Sequence, residues 1–304
     1  MGSGGVGGYF GARLAAAGAD VSFIARGAHL AALRSRGLRV RSPLGDLHVE
    51  RTHATDDVAS IGPVDVVFFT VKLYDTSAAT PLLPSLIGAQ TVVVPFQNGV
   101  ETVDVLTRAV GRLHTAGGTA FVSAVISEPG VIQHVANRKL TFGELDGTRS
   151  PRLERLLEAC LSAEIDARLS ENIDVDIWSK FVWLSVFSGM TTVTRLPIGP
   201  VREDPDLLAM CQAAGMEAMA VARAKGVPLP TQVFDDMITV FQQLPPNVKS
   251  SMLEDLERGK PLELPWLSGA VVRLGEEVGV PTPTHRFITA VLRPHLGQRT
   301  STGA

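Results

Sequence analysis

The chain has 304 residues, 45% of them hydrophobic, and a formal net charge of −3 at pH 7. That length suits about two domains with solid cores, and the slight acidity, without basic blocks, excludes nucleic acid or an anionic membrane as the main partner. No apolar run reaches the ~18–20 residues of a membrane span, and no basic-then-apolar leader is read at the start. The two cysteines, Cys160 and Cys211, fit neither a disulfide framework nor a C-x-x-C metal site. The histidines lack an H-x-x-x-H spacing for zinc. Both cysteines are read as helix residues in a reducing, cytoplasmic setting.

In chain order, the opening MGSGGVGGYFGARLAAAGADVSFIAR carries G-x-G-x-x-G at Gly2, Gly4 and Gly7. This turn seats a dinucleotide pyrophosphate on a helix N-terminus when a strand precedes it and a helix follows. A helix is predicted over Gly7–Gly18 and a strand over Asp20–Arg26. The preceding strand, ~5–6 residues in an ordinary sheet, is missing: only Met1 stands before the turn. The expectation is a start slightly upstream; the alternative is a glycine run without function. Leu38–Val49 alternates apolar and polar residues around Pro43-Leu-Gly45 and predicts a hairpin.

Val64–Val71 and Thr91–Phe96 are near-continuous apolar runs, as in parallel strands buried on both faces. Thr76–Ile87 between them is read as a crossover helix. The repeated strand–helix–strand order predicts an α/β, doubly wound, Rossmann-type domain over residues 1–170. Ala116–Gly143 is read as further short strands, with Glu128-Pro-Gly130 as a turn. From Glu171 helical patterns dominate: Ile173–Met190, Asp206–Lys225, Thr231–Leu244 and Leu264–Val278. They predict a mostly helical domain over 171–297, with a disordered tail over 298–304.

Several residues are candidates for chemistry. Arg26 ends the strand where a dinucleotide's ribose is met; an acid there favours NAD, whereas arginine suits the 2′-phosphate of NADP. The alternative is a solvated strand-end arginine. Lys72 and Asn98 sit at the carboxyl ends of neighbouring strands, where open α/β sheets bind ligands. Lys180, Leu184 and Ser188 share a helix face at i, i+4 and i+8. A lysine desolvated among Trp178, Phe181 and Trp183 has its pKa lowered toward neutrality, which suits proton donation; the alternative is a lysine snorkelling to solvent. Ser250 and Ser251 begin a short polar turn. Glu263 precedes a predicted helix, either as a ligand-facing carboxylate or as an acid favoured by the helix dipole.

These residues together resemble the ketopantoate reductase (2-dehydropantoate 2-reductase) family over nearly the whole chain. The resemblance rests on Gly2-Ser-Gly-Gly-Val-Gly7, Arg26, Lys72, Gln97-Asn-Gly99, Pro129-Gly130 with His134, Trp178-Ser-Lys180, and Ser250-Ser-Met-Leu-Glu-Asp255 followed by Glu263. It implies NADPH-dependent reduction of a 2-oxo acid, most simply 2-dehydropantoate to pantoate, with Lys180 as proton donor and Glu263 contacting cofactor or substrate. It further implies substrate contacts from Asn98, Ser188 and Ser251. Cofactor contacts are implied from Gly2, Ser3, Gly4, Gly5, Val6, Gly7, Arg26, Lys72, Asn98 and Ala124. The expected partner is a small-molecule 2-oxo acid, with a homodimer as the possible assembly. The family usually carries asparagines one and two helical turns after the lysine, where this chain has Leu184 and Ser188, so a more apolar substrate is expected. A hydroxyacid or opine-type dehydrogenase and an inactive NADP-binding sensor are the alternatives.

Overall fold

The computed structural model describes residues 1–296; the tail expected over 298–304 lies outside the described residues. The chain divides into two compact units, one of Met1–Gln97 and Glu101–Asp176, the other of Asn98–Val100 and the chain from Ile177 onward.

The first unit opens on helix α1 (Gly5–Ala16), followed by β1 (Ser22–Ile24), α2 (Gly27–Arg36), β2 (Leu38–Arg41), β3 (Leu47–Val49) and β4 (His53–Thr55). Next come β5 (Val64–Phe69), the single turn α3 (Thr76–Ala79), β6 (Ile87–Pro95), α4 (Thr102–Val110), β7 (Ala116–Glu128), β8 (Val131–Glu144), α5 (Pro151–Ser162) and β9 (Asp166–Leu169). Strands β1 and β4 pair in parallel, as do β5 and β6. The remaining ladder runs β3-β2-β8-β7, with β9 also on β8. The hairpin expected over 38–49 is β2 with β3.

Met1–Ser3 stands between β1 and β5. Ser3 N–H donates to the Ile24 carbonyl (3.0 Å), Thr70 N–H donates to the Met1 carbonyl (2.9 Å), and the Met1 amine donates to the Phe68 carbonyl (2.6 Å). These bonds tie the residues just before the glycine turn to the ends of both β1 and β5. Both faces of β5 are used: Val67 and Phe69 pack with Leu83, Leu86, Val93 and Leu106, while Val66 and Phe68 pack against a core built from Tyr9, Phe10, Ile132 and Phe142. Two-sided contact is why this strand reads as a near-continuous apolar run, interrupted only by the exposed Asp65.

Two sequence expectations are corrected here. Thr76–Ile87 is not one crossover helix: after α3 it continues as a 3₁₀ segment, Thr80–Leu86, holding Pro81 and Pro84. Each proline removes an N–H from the i→i−4 ladder and disfavours the α conformation just before it. Residues 116–143 are not several short strands but one long antiparallel hairpin, β7 with β8, turning at Pro129-Gly130 with Gly130 at φ 82°.

The helix α6 (Ile173–Thr194) begins in the last residues of the first unit and continues from Ile177 into the second, whose other helices are α7 (Ile198–Glu203), α8 (Pro205–Ala224), α9 (Gln232–Gln243), α10 (Ser251–Glu257), α11 (Ser268–Val278) and α12 (Pro283–Leu292). α6 buries Trp178, Phe181, Val182, Val186, Phe187 and Met190, so it is apolar around most of its circumference, as a central helix must be. Boundaries follow capping chemistry. The Asp204 carboxylate accepts from the N–H groups of Asp206 and Leu207 to start α8. Arg202 donates to the carbonyls of Phe241, Gln242 and Leu244 to close α9. The helix expected over 264–278 is split: a 3₁₀ turn covers Leu264–Trp266, and Leu267 (φ −110°, ψ −105°) breaks the path before α11.

Candidate active site

In the first unit the glycine turn is built by three different demands. Gly2 adopts φ +92°, and a Cβ there would lie 2.7 Å from the Val71 nitrogen, so neither its conformation nor its surroundings admit a side chain. Gly7 abuts the Thr70 hydroxyl and the Gly2 carbonyl, locking the start of α1 onto the end of β5. Gly4, the N-cap of α1, has nothing within 4 Å of where its Cβ would stand. Open space at a helix N-terminus with no acid in its first turn fits a pyrophosphate, whose charge the unpaired N–H groups and helix dipole favour.

The other expected cofactor residues surround this turn or occupy its strand-end positions. Ser3 is buried, with N–H and Oγ both donating to the Ile24 carbonyl. Val6 packs on the core beside the turn, and Gly5 lies against the carbonyl of Ala124 in β7. Arg26 is exposed just beyond β1, at the N-cap of α2, and Lys72 is exposed just beyond β5.

Two supports of these positions were given no role by the sequence reasoning. The Gln97 side chain donates from Nε2 to the Val71 carbonyl (2.6 Å) and the Thr76 hydroxyl (3.0 Å), which fixes the ends of β5 and β6 against each other. His29 accepts from the Gly130 N–H at Nδ1 (3.1 Å). Burial lowers the His29 pKa, an effect partly offset by the backbone of Ser3. The QN pair at 97–98 was a signal for Gln97; a histidine inside a helical pattern gave none for His29.

Within the second unit three expected residues meet. Lys180 Nζ donates to Asn98 Oδ1 at 3.1 Å, and Asn98 Nδ2 donates to Glu263 Oε2 at 3.3 Å. With its NH₂ committed to a carboxylate, the Asn98 amide must present oxygen to the lysine. Lys180 is 9% exposed and Glu263 7%. Burial pulls the Lys180 pKa down from 10.5 to about 8, against the opposing pull of the Glu263 carboxylate. The ammonium is thus held by an amide and a carboxylate inside the fold rather than snorkelling to solvent. A buried lysine with that acidity can deliver a proton near neutral pH and take it back from water.

Ser188 and Ser251 are not part of this chain of hydrogen bonds. Ser188 is wholly buried, with no hydrogen bond from its hydroxyl. Ser251 is exposed at the first position of α10. Its neighbour Ser250 caps that helix through the Leu253 N–H (3.1 Å) and accepts from the Thr191 hydroxyl (2.8 Å), so the expected polar turn is a capped helix start. Leu184, one turn after Lys180, is 8% exposed. Among the described residues no cluster of histidine, cysteine and acidic side chains could hold a metal ion, and no helix is long and apolar enough to cross a membrane.

Comparison with known proteins agrees with this architecture. Residues 1–147 match the family described as "Ketopantoate reductase PanE/ApbA", and residues 172–295 match "Ketopantoate reductase PanE/ApbA C terminal". The chain is 31% identical to a 2-dehydropantoate 2-reductase of Mesorhizobium japonicum, over 96% of this chain and 95% of that one. A crystal structure of a PanE/ApbA family ketopantoate reductase from Ralstonia eutropha superposes with a TM-score of 0.89 at 30% identity, covering 97% and 96% of the two chains. A 2-dehydropantoate 2-reductase from Geobacter metallireducens gives 0.90 at 26% identity, covering 97% and 98%.

Proposed function

Since the chain belongs to the ketopantoate reductase family, we propose that it reduces a 2-oxo acid with NADPH, 2-dehydropantoate giving pantoate, with Lys180 as the proton donor. The observation that carries this reading is the buried Glu263–Asn98–Lys180 chain, which holds an ammonium of pKa about 8 in a fixed position.

The nucleotide is assigned to the glycine turn: Gly4 and the N-terminus of α1 take the pyrophosphate, and Arg26 pairs with the 2′-phosphate. When bound, the nicotinamide supplies a hydride to C2 of the oxo acid. Lys180 hydrogen-bonds the ketone oxygen and transfers a proton to it as the oxygen gains negative charge, so that oxo acid, NADPH and one proton become hydroxy acid and NADP⁺. Asn98 keeps Nζ aimed through its oxygen, and Glu263 keeps that oxygen from rotating away. The neutral amine left behind is reprotonated from water. Its pKa near the working pH makes both transfers feasible.

Leu184 places apolar surface one helical turn from the ammonium, and we assign to it a preference for 2-oxo acids whose side chain lacks a hydroxyl. A polar group facing leucine loses a partner worth about 0.5–1.5 kcal/mol net.

The test is NADPH consumption by the full chain with 2-dehydropantoate and with 2-oxo acids lacking its hydroxyl, alongside Lys180→Ala. Turnover is expected with both substrate types, with kcat falling about 10²–10⁴-fold in the variant. No turnover with any 2-oxo acid, or an unchanged rate in Lys180→Ala, overturns the reading.

A further inference from the structure

Within the first unit, the turn of the β7–β8 hairpin is seated on α2 and the start of β2. The Gly130 N–H donates to His29 Nδ1 (3.1 Å), and the Gly130 carbonyl accepts from the Arg39 N–H (2.9 Å). Arg36 donates to the Pro129 carbonyl (3.3 Å), and a Cβ on Gly130 would stand 3.0 Å from that of Ala32. The same hairpin walls the glycine turn. The Ala124 carbonyl of β7 fills the place where a Gly5 side chain would begin, and Ile132 of β8 crowds Gly8 in the same way. His29 stands at the junction of these parts. Because its Nδ1 accepts a hydrogen bond, the neutral ring carries its proton on Nε2. That nitrogen is enclosed without a hydrogen-bond partner, and the ring lies beside the backbone of Ser3, inside the glycine turn.

We propose that His29 is a pH-sensitive latch: its neutral ring holds the hairpin against the glycine turn, and protonation at Nδ1 releases the hairpin and weakens nucleotide binding. This inference rests on the assignment of the nucleotide to that turn. A proton added at Nδ1 takes the lone pair that the Gly130 N–H uses, so two donors face each other and the bond is lost outright. By linkage, a nucleotide that needs the hairpin seated also favours the neutral ring. Burial, the largest influence on this imidazole, holds its pKa below 6.5. The latch is therefore closed at neutral pH and opens on the acid side. The charged and titratable groups on the surrounding elements are mostly engaged with other partners. Glu128 pairs with Arg41 (3.3 Å) and Arg34 with Asp56 (3.3 Å). His48 bonds the Arg36 carbonyl, His53 the Ser22 hydroxyl, and His134 both Ser42 and Asn137. The Met1 amine donates to the Phe68 carbonyl, and Arg26 is exposed three residues before His29.

The test compares the full chain with His29→Asn and His29→Leu. An asparagine oxygen stands near the place of Nδ1 and accepts a hydrogen bond without titrating, whereas leucine accepts none. Calorimetric titration with NADP⁺ reads affinity at pH 7.5 and pH 5. A phosphate monoester titrates in this range, as do the neighbours named above, and the comparison between proteins removes those shared effects. Between the two pH values, affinity is expected to fall about five- to tenfold more in the unaltered chain than in His29→Asn. His29→Leu is expected to bind more weakly at pH 7.5 and to lack the extra fall. Nitrogen NMR of the unaltered chain is expected to show His29 protonated on Nε2 at pH 7.5, with the Gly130 amide shifting at the same midpoint as the ring. Equal acid losses in the unaltered chain and His29→Asn overturn the proposal. So does a proton on Nδ1 at pH 7.5, or a Gly130 amide indifferent to the titration of the ring. Failure of all three proteins to bind NADP⁺ at pH 7.5 sinks the nucleotide assignment instead, and the NMR measurement still decides whether the ring holds the turn.

Discussion

At the scale of single residues, the acidity of Lys180 governs how the proposed reaction responds to pH. Its ammonium form is the proton donor, so reduction should hold roughly constant below about pH 8 and decline above it as the amine loses its proton. A kcat profile measured from pH 6 to 10 checks this. Lys180→Arg should lose most of its turnover, because a guanidinium that stays charged throughout cannot give up a proton, and the residual rate should show no falling limb in this range. Arg26 makes a second residue-level prediction. It is exposed beyond β1, with no acid between Ser22 and itself. Replacing it in Arg26→Ala should weaken NADPH about 10–100-fold, the loss of a charge-assisted pair, while leaving NADH nearly unchanged. Titration of both nucleotides by fluorescence reads the ratio.

At the scale of elements, the glycine turn and the two strand ends act as one assembly. Thr70 Oγ1 donates to the carbonyls of Met1 (2.9 Å) and Gly2 (2.8 Å), and Gly7 fits closely against both that hydroxyl and the Gly2 carbonyl. Any side chain at position 7 must push these apart. Gly7→Val should therefore cost at least tenfold in nucleotide affinity and lower the melting temperature by several degrees. Calorimetric titration and a thermal melt measure the two effects.

The same elements show what the sequence could and could not reveal. The parallel strands β5 and β6 were legible because two-sided burial leaves near-continuous apolar runs, Val66–Phe69 and Val92–Pro95. The long helices were legible from their period and their proline and glycine stops. The 3₁₀ path over 80–86 was misread because apolar spacing outweighed Pro81 and Pro84, whose missing donors decided the conformation. The β7–β8 hairpin was read as fragments because its exposed stretch, with Val125, Ile126 and Val135 on the surface, carries no regular alternation. At the site, Lys180, Asn98 and Glu263 were named from residue type and resemblance, whereas their mutual hydrogen bonds depend on contacts 82 and 165 residues apart. No local pattern encodes such pairings. Ser251 was chosen by its place in a motif, but a helix cap set at Ser250 leaves it facing solvent.

At the scale of the molecule, the buried lysine couples stability to pH. An unfolded lysine keeps its proton up to about pH 10.5, whereas the folded one releases it near 8. Below pH 8 both states are protonated, and the fold bears the full cost of enclosing the charge. Between about 8 and 10.5 the unfolded chain binds more protons, so stability rises with pH. The recovery is on the order of 3 kcal/mol for a shift of this size. Chemical denaturation at pH 7, 8, 9 and 10 should show this rise on top of the general alkaline trend, and Lys180→Met should remove that component.

The depressed pKa at position 180 originates chiefly in the dryness of its surroundings, with the neighbouring carboxylate pulling the other way. The alkaline limit of the proposed reaction is therefore a gauge of how much water reaches the interior of the helical unit. Mild urea, hydrostatic pressure or a loosening substitution at a distant contact should admit solvent and carry that limit to higher pH before any unfolding is visible. Activity against pH would then report on interior hydration in a protein that still passes every test of being folded.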